Sequence, residues 1–555
     1  METKYTSAPV HGSHGKRAAI HVKLLAWRLL LVSGLVLLLV SACGGPGSTP
    51  GEPVDPAVLN VEIVEGDLTL VLGSELQLTA EVSVVGGAYD GVTWASDAPS
   101  VLGVDAAGIA DARSVGTARV TATSAFDESQ QDTVVVRVFE VQPSLTATIS
   151  AGEFHVLALS PSGEVWSWGF NEFGQLGDGT MLADVTPEVV AGLPRIVKVA
   201  AGNLHSLALT ETGNVWAWGD NGGSQSGLDA ILSTRTDSPN LIEGLHSVID
   251  IAGGYSHSLA LRADGTVWGW GSNWDGALGS GPTWNRHVAE PILGIEDVIQ
   301  IAAGTGHSLA LRADGTVWGW GNSMYGQAGV EGVDKSPIPT RIEGLADVKG
   351  ITDAVAITAG AGVTFALREN GTVWAWGANG DGRLGDGGTD MTYPPVVIPG
   401  LTDVVQVDAG YMHSLAVTAD GSAWTWGWNG TGGQIWEDAF DPTPVQLGLT
   451  GVTRVRAGND HSLALLEDGT VWSWGFNRSG ALGNGSFDTS IEPTKVEWLA
   501  DIVQIAAGEQ ASLALAADGT VWVWGSNQFG QFGDGRAVFR SAPDVMIGLP
   551  NIGPF

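Results

Sequence analysis

Basic residues, sulfur and catalytic signatures are all scarce in this chain of 555 residues. Only 25 Lys and Arg stand against 60 Asp and Glu, for a formal net charge of −35. A nucleic-acid footprint needs Lys and Arg clustered on one face. Here they are spread along the whole chain, which excludes nucleic acid as a partner, and the acidic balance speaks instead to solubility and to repulsion from anionic surfaces. There is one cysteine, Cys43, so no intrachain disulfide can form and stability must come from packing. The apolar run Leu29 to Val40 is too short to span a bilayer. No HExxH, no GxSxG and no Walker-type lysine loop occurs, and acidic pairs recur at no position that a ring would focus. The expectation is a protein that is not an enzyme and holds no cofactor or metal.

What the chain has in quantity is glycine, 80 residues, and tryptophan, 23 residues. Both follow from a repeat. The stretch Ile301 to Gly321, IAAGTGHSLALRADGTVWGWG, contains a fifteen-residue run from His307 that is identical to His257–Gly271. Eight such copies recur every 48 to 56 residues, a period of one supersecondary unit per copy and hence of a ring or an array. Each copy reads as a β-hairpin, because alternating apolar residues flank an Asp-Gly pair. Taking Asp314-Gly315 as a two-residue turn sets Leu311 across from Trp318 and Leu309 across from Trp320, with Ser308 and Ala310 across from Gly321 and Gly319. That register gives each hairpin one bulky and one nearly flat face, suited to stacking, and the eight Trp pairs account for sixteen of the 23 Trp.

Each copy supplies two further strands. One precedes the Ala-Gly step, as in VVQVDAG ending at Gly410, and another follows a proline, as in Pro187 to Leu193. After the last copy, Pro543 to Phe555 repeats only the outer part, and the first copy has only Ser144 to Ser150 before its Ala-Gly step. Joining these complementary remnants would close a ring and remove exposed sheet edges.

The motif AGxxHSLALxxDGTVWxWGxNxxGxLGxG, read in full at Ala457 to Gly485, resembles the regulator of chromosome condensation repeat, over residues 141–555. The resemblance implies an all-β protein, a seven- or eight-bladed β-propeller of four-stranded blades, with eight favoured by the repeat count. Residues 57–140 show short alternating runs separated by Gly, Asp and Ser, a small β-sandwich pattern. They resemble the bacterial Ig-like domains of group 2 at Gly73, Leu78, Ala80, Val82, Val92, Trp94, Ser96, Val104, Gly108, Gly116-Thr117-Ala118 and Val120. That likeness implies a spacer or adhesion module. Residues 1–42 read as an export signal, with Lys16, Arg17, Lys23 and Arg28 ahead of the apolar run. Val40-Ser41-Ala42-Cys43 resembles the lipobox of bacterial lipoproteins, which makes Cys43 the lipidation site, and residues 43–56 are a flexible linker by composition. The implied location is outside the cytoplasm, on the cell surface or in the periplasm, with the membrane engaged through the lipid alone.

Three repeated features invite a functional reading. His155, His205, His257, His307, His413 and His461 hold equivalent positions, with Val363 and Ala511 in the other two copies. Rings one blade apart cannot share an ion, so they read as buried histidines satisfied by backbone. Gly380 to Gly385 fits GxGxxG, but no helix follows to bind an anion. Asn379 to Gly387 lacks the closing glutamate of a calcium loop.

Recognition is expected on the loops opposite the Asp-Gly turns, where the repeat letters vary. Phe154, Tyr255 and Tyr411 occupy the AGxxH loops, and Phe173, Trp274, Met324, Tyr325 and Phe529 the NxxG loops. Aromatics on adaptable loops suit a protein or glycan partner, and secreted relatives that inhibit enzymes make inhibition a variant. A hydrolase or lyase with an acidic site on the same face is the alternative. Guanine-nucleotide exchange, a role of eukaryotic family members, ranks last behind an export signal.

Overall fold

The computed structural model describes residues 57–64, 68–85, 91–139, 148–231, 233–281, 284–343, 352–390, 392–428, 440–532, 536 and 538–546. The export signal, Cys43 and the linker lie outside these residues. No helix occurs among them, and so none is long and apolar enough to cross a membrane.

Residues 57–139 form three small sheets around one apolar core. Strand Leu68–Val71 pairs in parallel with Gln131–Phe139, which runs against Gly116–Ser124 and, beyond it, Val92–Ser96. Val61, Leu78, Leu102, Val120 and Val136 are buried in that core, with Trp94 packed against it.

From residue 148 onward, eight four-stranded antiparallel sheets follow one another, each built from consecutive strands of one repeat. These are the blades of a propeller. In the fourth, the strands are Val298–Ala303, His307–Arg312, Val317–Asn322 and Lys335–Arg341, paired in that order. The hairpin register differs by one residue from the expected one. Leu309 faces Gly319, Leu311 faces Val317, and Ser308 and Ala310 face Trp320 and Trp318. The cause is the turn. Gly315 N–H donates to Arg312 O at 2.9 Å and Arg312 N–H to Thr316 O at 2.9 Å, so three residues rather than two make the loop. Gly315 sits at φ 76°, the extra left-handed residue of a bulged hairpin.

The shift redistributes the faces. Leucines and Val317 now share one face, and the tryptophans share the other with Ser308 and Ala310. Stacking survives, because the Leu-Val face of one blade packs on the Ala-Trp face of the next: Leu309, Leu311 and Val317 meet Ala366, Trp374 and Trp376. Seven indoles, Trp168, Trp218, Trp270, Trp320, Trp376, Trp426 and Trp524, are fully buried this way. Such burial contributes roughly 25 cal/mol per Å² of apolar area.

Polar links repeat alongside. At six junctions one loop carbonyl accepts two bonds from the following blade. Ala277 O takes Trp320 Nε1–H at 2.7 Å and the Ser308 hydroxyl at 2.8 Å. The same Ser308 Oγ lies 2.9 Å from His257 Nε2 of the preceding blade. Six such His-to-hydroxyl contacts span 2.8–3.1 Å. The histidines are therefore structural as expected, and the Nε2 of each meets a side-chain hydroxyl of the neighbouring blade. Since Ser308 donates to the carbonyl, it must accept from His257, which fixes the proton on Nε2. The motif glycine serves the same ring: a Cβ on Gly254 would lie 2.3 Å from His257 Cε1.

Among the described residues the ends do not merge into one sheet. The first blade starts with its own strand Thr148–Ala151 and the eighth ends with its own Arg540–Val545. Closure comes from face-to-face packing of Ile149, Val156 and Trp168 on Leu513, Val521 and Phe532. Trp168 Nε1–H donates to Gln531 O at 2.7 Å, and Gln504 Nε2–H to Ile149 O at 3.3 Å. At this seam Ala511 stands for the histidine and Val156 for its hydroxyl partner, so both halves of the link are replaced together by apolar groups.

Burial pushes the six imidazoles from an ordinary value of 6.5 down to about 3 or 4. The unfolded chain then takes up more protons than the folded one as pH falls. Stability should be full above about pH 6.5 and decline toward pH 4, each site costing on the order of 3 kcal/mol once fully crossed. Calorimetric melting should show a falling midpoint from about pH 7 to about pH 5, with a shallower slope in His307→Gln. An unchanged midpoint over that range would count against it.

Candidate functional site on the loop face

Strand order places the AGxxH and NxxG loops at one end of every blade and the Asp-Gly turns at the other. The backbone shows this directly: Asn322 N–H, at the start of an NxxG loop, donates to Gly306 O of the AGxxH loop at 2.8 Å. The NxxG loop is organised by its own asparagine. Asn379 is buried, and its Oδ1 accepts Leu384 N–H at 2.9 Å while Nδ2–H reaches Gly388 O at 3.1 Å. The same bond recurs from Asn171 to Leu176 and from Asn477 to Leu482. Gly380 to Gly385 is thus a turn held from within.

The eight aromatic and methionine positions divide into two groups. Tyr255, Trp274, Met324, Tyr325 and Tyr411 are exposed, with Trp274 at 79%. Its indole is held in place by Lys335, whose ammonium stands 5.4 Å from the ring centroid, donates to Trp274 O at 2.7 Å and lies 3.3 Å from Asp275. Phe154, Phe173 and Phe529 are half-buried instead. Phe154 stacks on Phe529 at 4.8 Å, and Phe170 bridges Phe529 at 5.1 Å and Phe173 at 6.1 Å. These rings cap the seam between the eighth and first blades.

Sequence reasoning missed the outermost tips of the same loops. Trp284 is 89% exposed, Ile231 92% and Leu182 75%. Each is a large apolar residue in a run of Gly, Asp, Ser and Thr just beyond the repeat motif, a signal that was available in the sequence. With Tyr255, Trp274, Met324 and Tyr325, they place apolar surface on the first to fourth blades.

On the axis, the Ala-Gly steps of all eight blades surround a depression of about 370 Å³. The residue after each glycine lines it, and the set is mirrored about the seam. Glu153 and Glu509 adjoin the seam, Asn203 and Asn459 come next, then Tyr255 and Tyr411, and Thr305 and Ala361 close the far side. Asn203 donates its amide to Glu153. Burial raises the Glu509 carboxyl above its usual range, and repulsion from Glu153 and Asp460 adds to it. Burial raises Asp460 as well. Among the described residues no three His, Cys, Asp or Glu approach closely enough to hold a metal ion.

Residues 111–450 and 297–553 match the RCC1-like domain, and residues 57–136 the bacterial Ig-like domain (group 2). The chain is 32% identical to the mouse E3 ubiquitin-protein ligase HERC2 over 256 residues, 45% of this chain and 5% of HERC2. It is 31% identical to the ultraviolet-B receptor UVR8 of Arabidopsis thaliana over 257 residues, 45% of this chain and 57% of the receptor. The chain therefore spans only part of these relatives. Of solved structures, human WBSCR16 aligns with a TM-score of 0.52 at 24% identity, covering 64% of this chain and 99% of that one. Prp20p of Saccharomyces cerevisiae, described with its binding to Gsp1p and histones, aligns with a TM-score of 0.50 at 26% identity, covering 67% and 91%.

The two aromatic groups should separate by stability. Phe529→Ala should lower stability by about 1–3 kcal/mol, because it empties the capped seam. Trp274→Ala and Tyr325→Ala should leave the thermal midpoint within a degree or two of the parent. Denaturant melts of the three variants check the split, and equal losses in all of them would refute it.

Proposed function

The chain belongs to the RCC1-like domain family, and on that premise we propose that it is an extracytoplasmic, lipid-anchored binding scaffold whose loop face takes a protein partner. The family supports a protein-binding or regulatory scaffold in general. The observation that carries the reading here is the exposed cluster of Tyr255, Trp274, Trp284, Met324 and Tyr325 on neighbouring blades. Contact residues of this kind anchor interfaces when a partner covers them. The eight sheets serve as a rigid frame that holds the loops at fixed spacing, and the Ig-like segment sets the frame away from the anchor at Cys43. A glycan partner belongs to the same reading, since flat exposed rings also stack on sugars, and inhibition of a bound enzyme is one outcome of it.

A second reading, a hydrolase or lyase with an acidic site, draws on the raised carboxyls of Glu509 and Asp460. It gains ground only if turnover of a glycoside or peptide substrate is found and disappears in Glu509→Gln. Guanine-nucleotide exchange stays behind both.

Two measurements test the first reading. Immobilised full chain should capture a partner from envelope fractions, and the triple variant Tyr255→Ala, Trp274→Ala, Tyr325→Ala should lose that capture while melting like the parent. Retained capture would remove the loop face from consideration. For the anchor, metabolic labelling with a palmitate analogue should mark the parent chain and not Cys43→Ser; a labelled variant would end the lipoprotein assignment.

A further inference from the structure

The axial depression carries more information than its shape. Its two carboxylates, Glu153 and Glu509, come from blades at opposite ends of the chain that meet at the seam. Asp460, outside the lining, adds its repulsion to that of Glu153 on Glu509. None of them takes part in an ion pair among the described residues. No Lys or Arg lines the depression.

A second, independent feature points the same way. His155 is 1% exposed, and its Nε2–H is committed to Ser206 Oγ at 3.0 Å, because Ser206 donates its own proton to Gln175 O at 2.8 Å. Nδ1 is therefore a bare acceptor, and it has no hydrogen-bond partner. It stands directly behind Gly152, which lines the depression: a Cβ built there would lie 2.6 Å from it. His205 and His307 repeat the arrangement behind Gly202 and Gly304. The carboxylates thus stand on a wall backed by imidazoles whose Nδ1 has no protein partner. Tyr255 and Tyr411 add two ring faces on either flank, and rings on this same surface already accept cations, as Lys335 does on Trp274 and Arg478 on Phe476 at 5.6 Å.

We propose that this depression binds an organic cation, a primary ammonium or guanidinium group seated between Glu153 and Glu509 with its alkyl stem against Tyr255 and Tyr411. The volume of about 370 Å³ has room for a chain of several methylenes behind the charged head. Hydrogen bonds from the cation would satisfy carboxylates that otherwise repel one another, so charge and donor count are complementary. A metal ion fits less well, since no three ligand groups converge. The cation can come from a free amine or from a basic side chain of the docked partner. In the second case the inference rests on the loop face being the recognition surface.

Titration calorimetry on the full chain distinguishes these sources. The probes are butane-1,4-diamine, a capped pentapeptide with one central lysine, and the same peptide with norleucine in its place. Binding of the diamine alone assigns a free amine, and binding of the lysine peptide assigns a partner side chain; each supports the site. The probe that binds should weaken at least tenfold in Glu153→Gln/Glu509→Gln, whose thermal midpoint should equal or exceed the parent's once the repulsion is gone. Tyr411→Leu should weaken it severalfold without touching the acids. Equal affinity for lysine and norleucine peptides, binding that survives the double substitution, or no binding of either cation overturns the proposal. Failure here leaves partner capture through Trp274 and Tyr325 standing, because those side chains lie outside the depression.

Discussion

Six blade junctions turn on one backbone carbonyl in the NxxG loop, which receives an indole N–H and a hydroxyl from the next blade. At the Gln175, Gln225, Ala277 and Gln327 carbonyls both donors are present, within 2.7–3.2 Å. A peptide carbonyl has two lone pairs, and a buried one left short of partners costs on the order of 1–3 kcal/mol. The carbonyl therefore requires both a Trp and a hydroxyl residue at fixed positions, and the hydroxyl in turn fixes the histidine tautomer one blade back. The histidine ring then requires a glycine at the Ala-Gly step, where any Cβ would overlap it. Four letters of the repeat follow from one acceptor. The loop that presents the carbonyl is held by its buried asparagine, which extends the chain of dependence to the NxxG letters.

The seam shows the same logic in reverse. With Ala511 in place of the histidine, a hydroxyl at position 156 would keep only the carbonyl as partner, as Ser414 does opposite Val363; at the seam valine stands there instead. Replacing both partners of a buried hydrogen bond by apolar groups is nearly neutral, whereas removing one is not. The phenylalanines over this junction then cover with apolar contact what other junctions hold with polar links. Trp168 keeps the carbonyl bond to Gln531, so the part of the junction that carries the indole is unchanged.

Much of this architecture was legible in the sequence, and the parts that were not have a common cause. The period, the hairpin and the four-strand unit follow from letters close together in the chain, and both an RCC1-like and an Ig-like match are found. The register slipped because Asp-Gly fits both a two-residue turn and the end of a three-residue bulged one. Only the bond from Arg312 to Thr316 distinguishes them, and one residue moves every side chain to the other face. The histidine's partner lies some fifty residues away on another blade, beyond the reach of local pattern. Phe154 and Phe529 are 375 positions apart by number and touch only because the ring closes. The outer tips at Trp284 and Ile231, by contrast, were readable, since large apolar residues amid Gly and Asp have no local packing role.

Repetition and recognition thus occupy different letters of one motif. Letters that answer the junction carbonyl are fixed in nearly every copy, so a site on this molecule has to be written in the few positions the junction leaves free. The residue after each motif glycine is one of these. Eight independent choices at that position have produced Glu, Asn, Tyr, Thr, Ala, Tyr, Asn and Glu in ring order. Packing does not call for that order, because these side chains line open space and meet no neighbouring blade's core. Burial raises the Glu509 carboxyl, and placing Glu153 beside it at the seam raises it further. A fold that removes both partners of a buried hydrogen bond at the same seam has the means to separate two carboxylates there. That it holds them together, flanked symmetrically by amides and rings, is a cost that folding does not explain and that a cationic guest would offset.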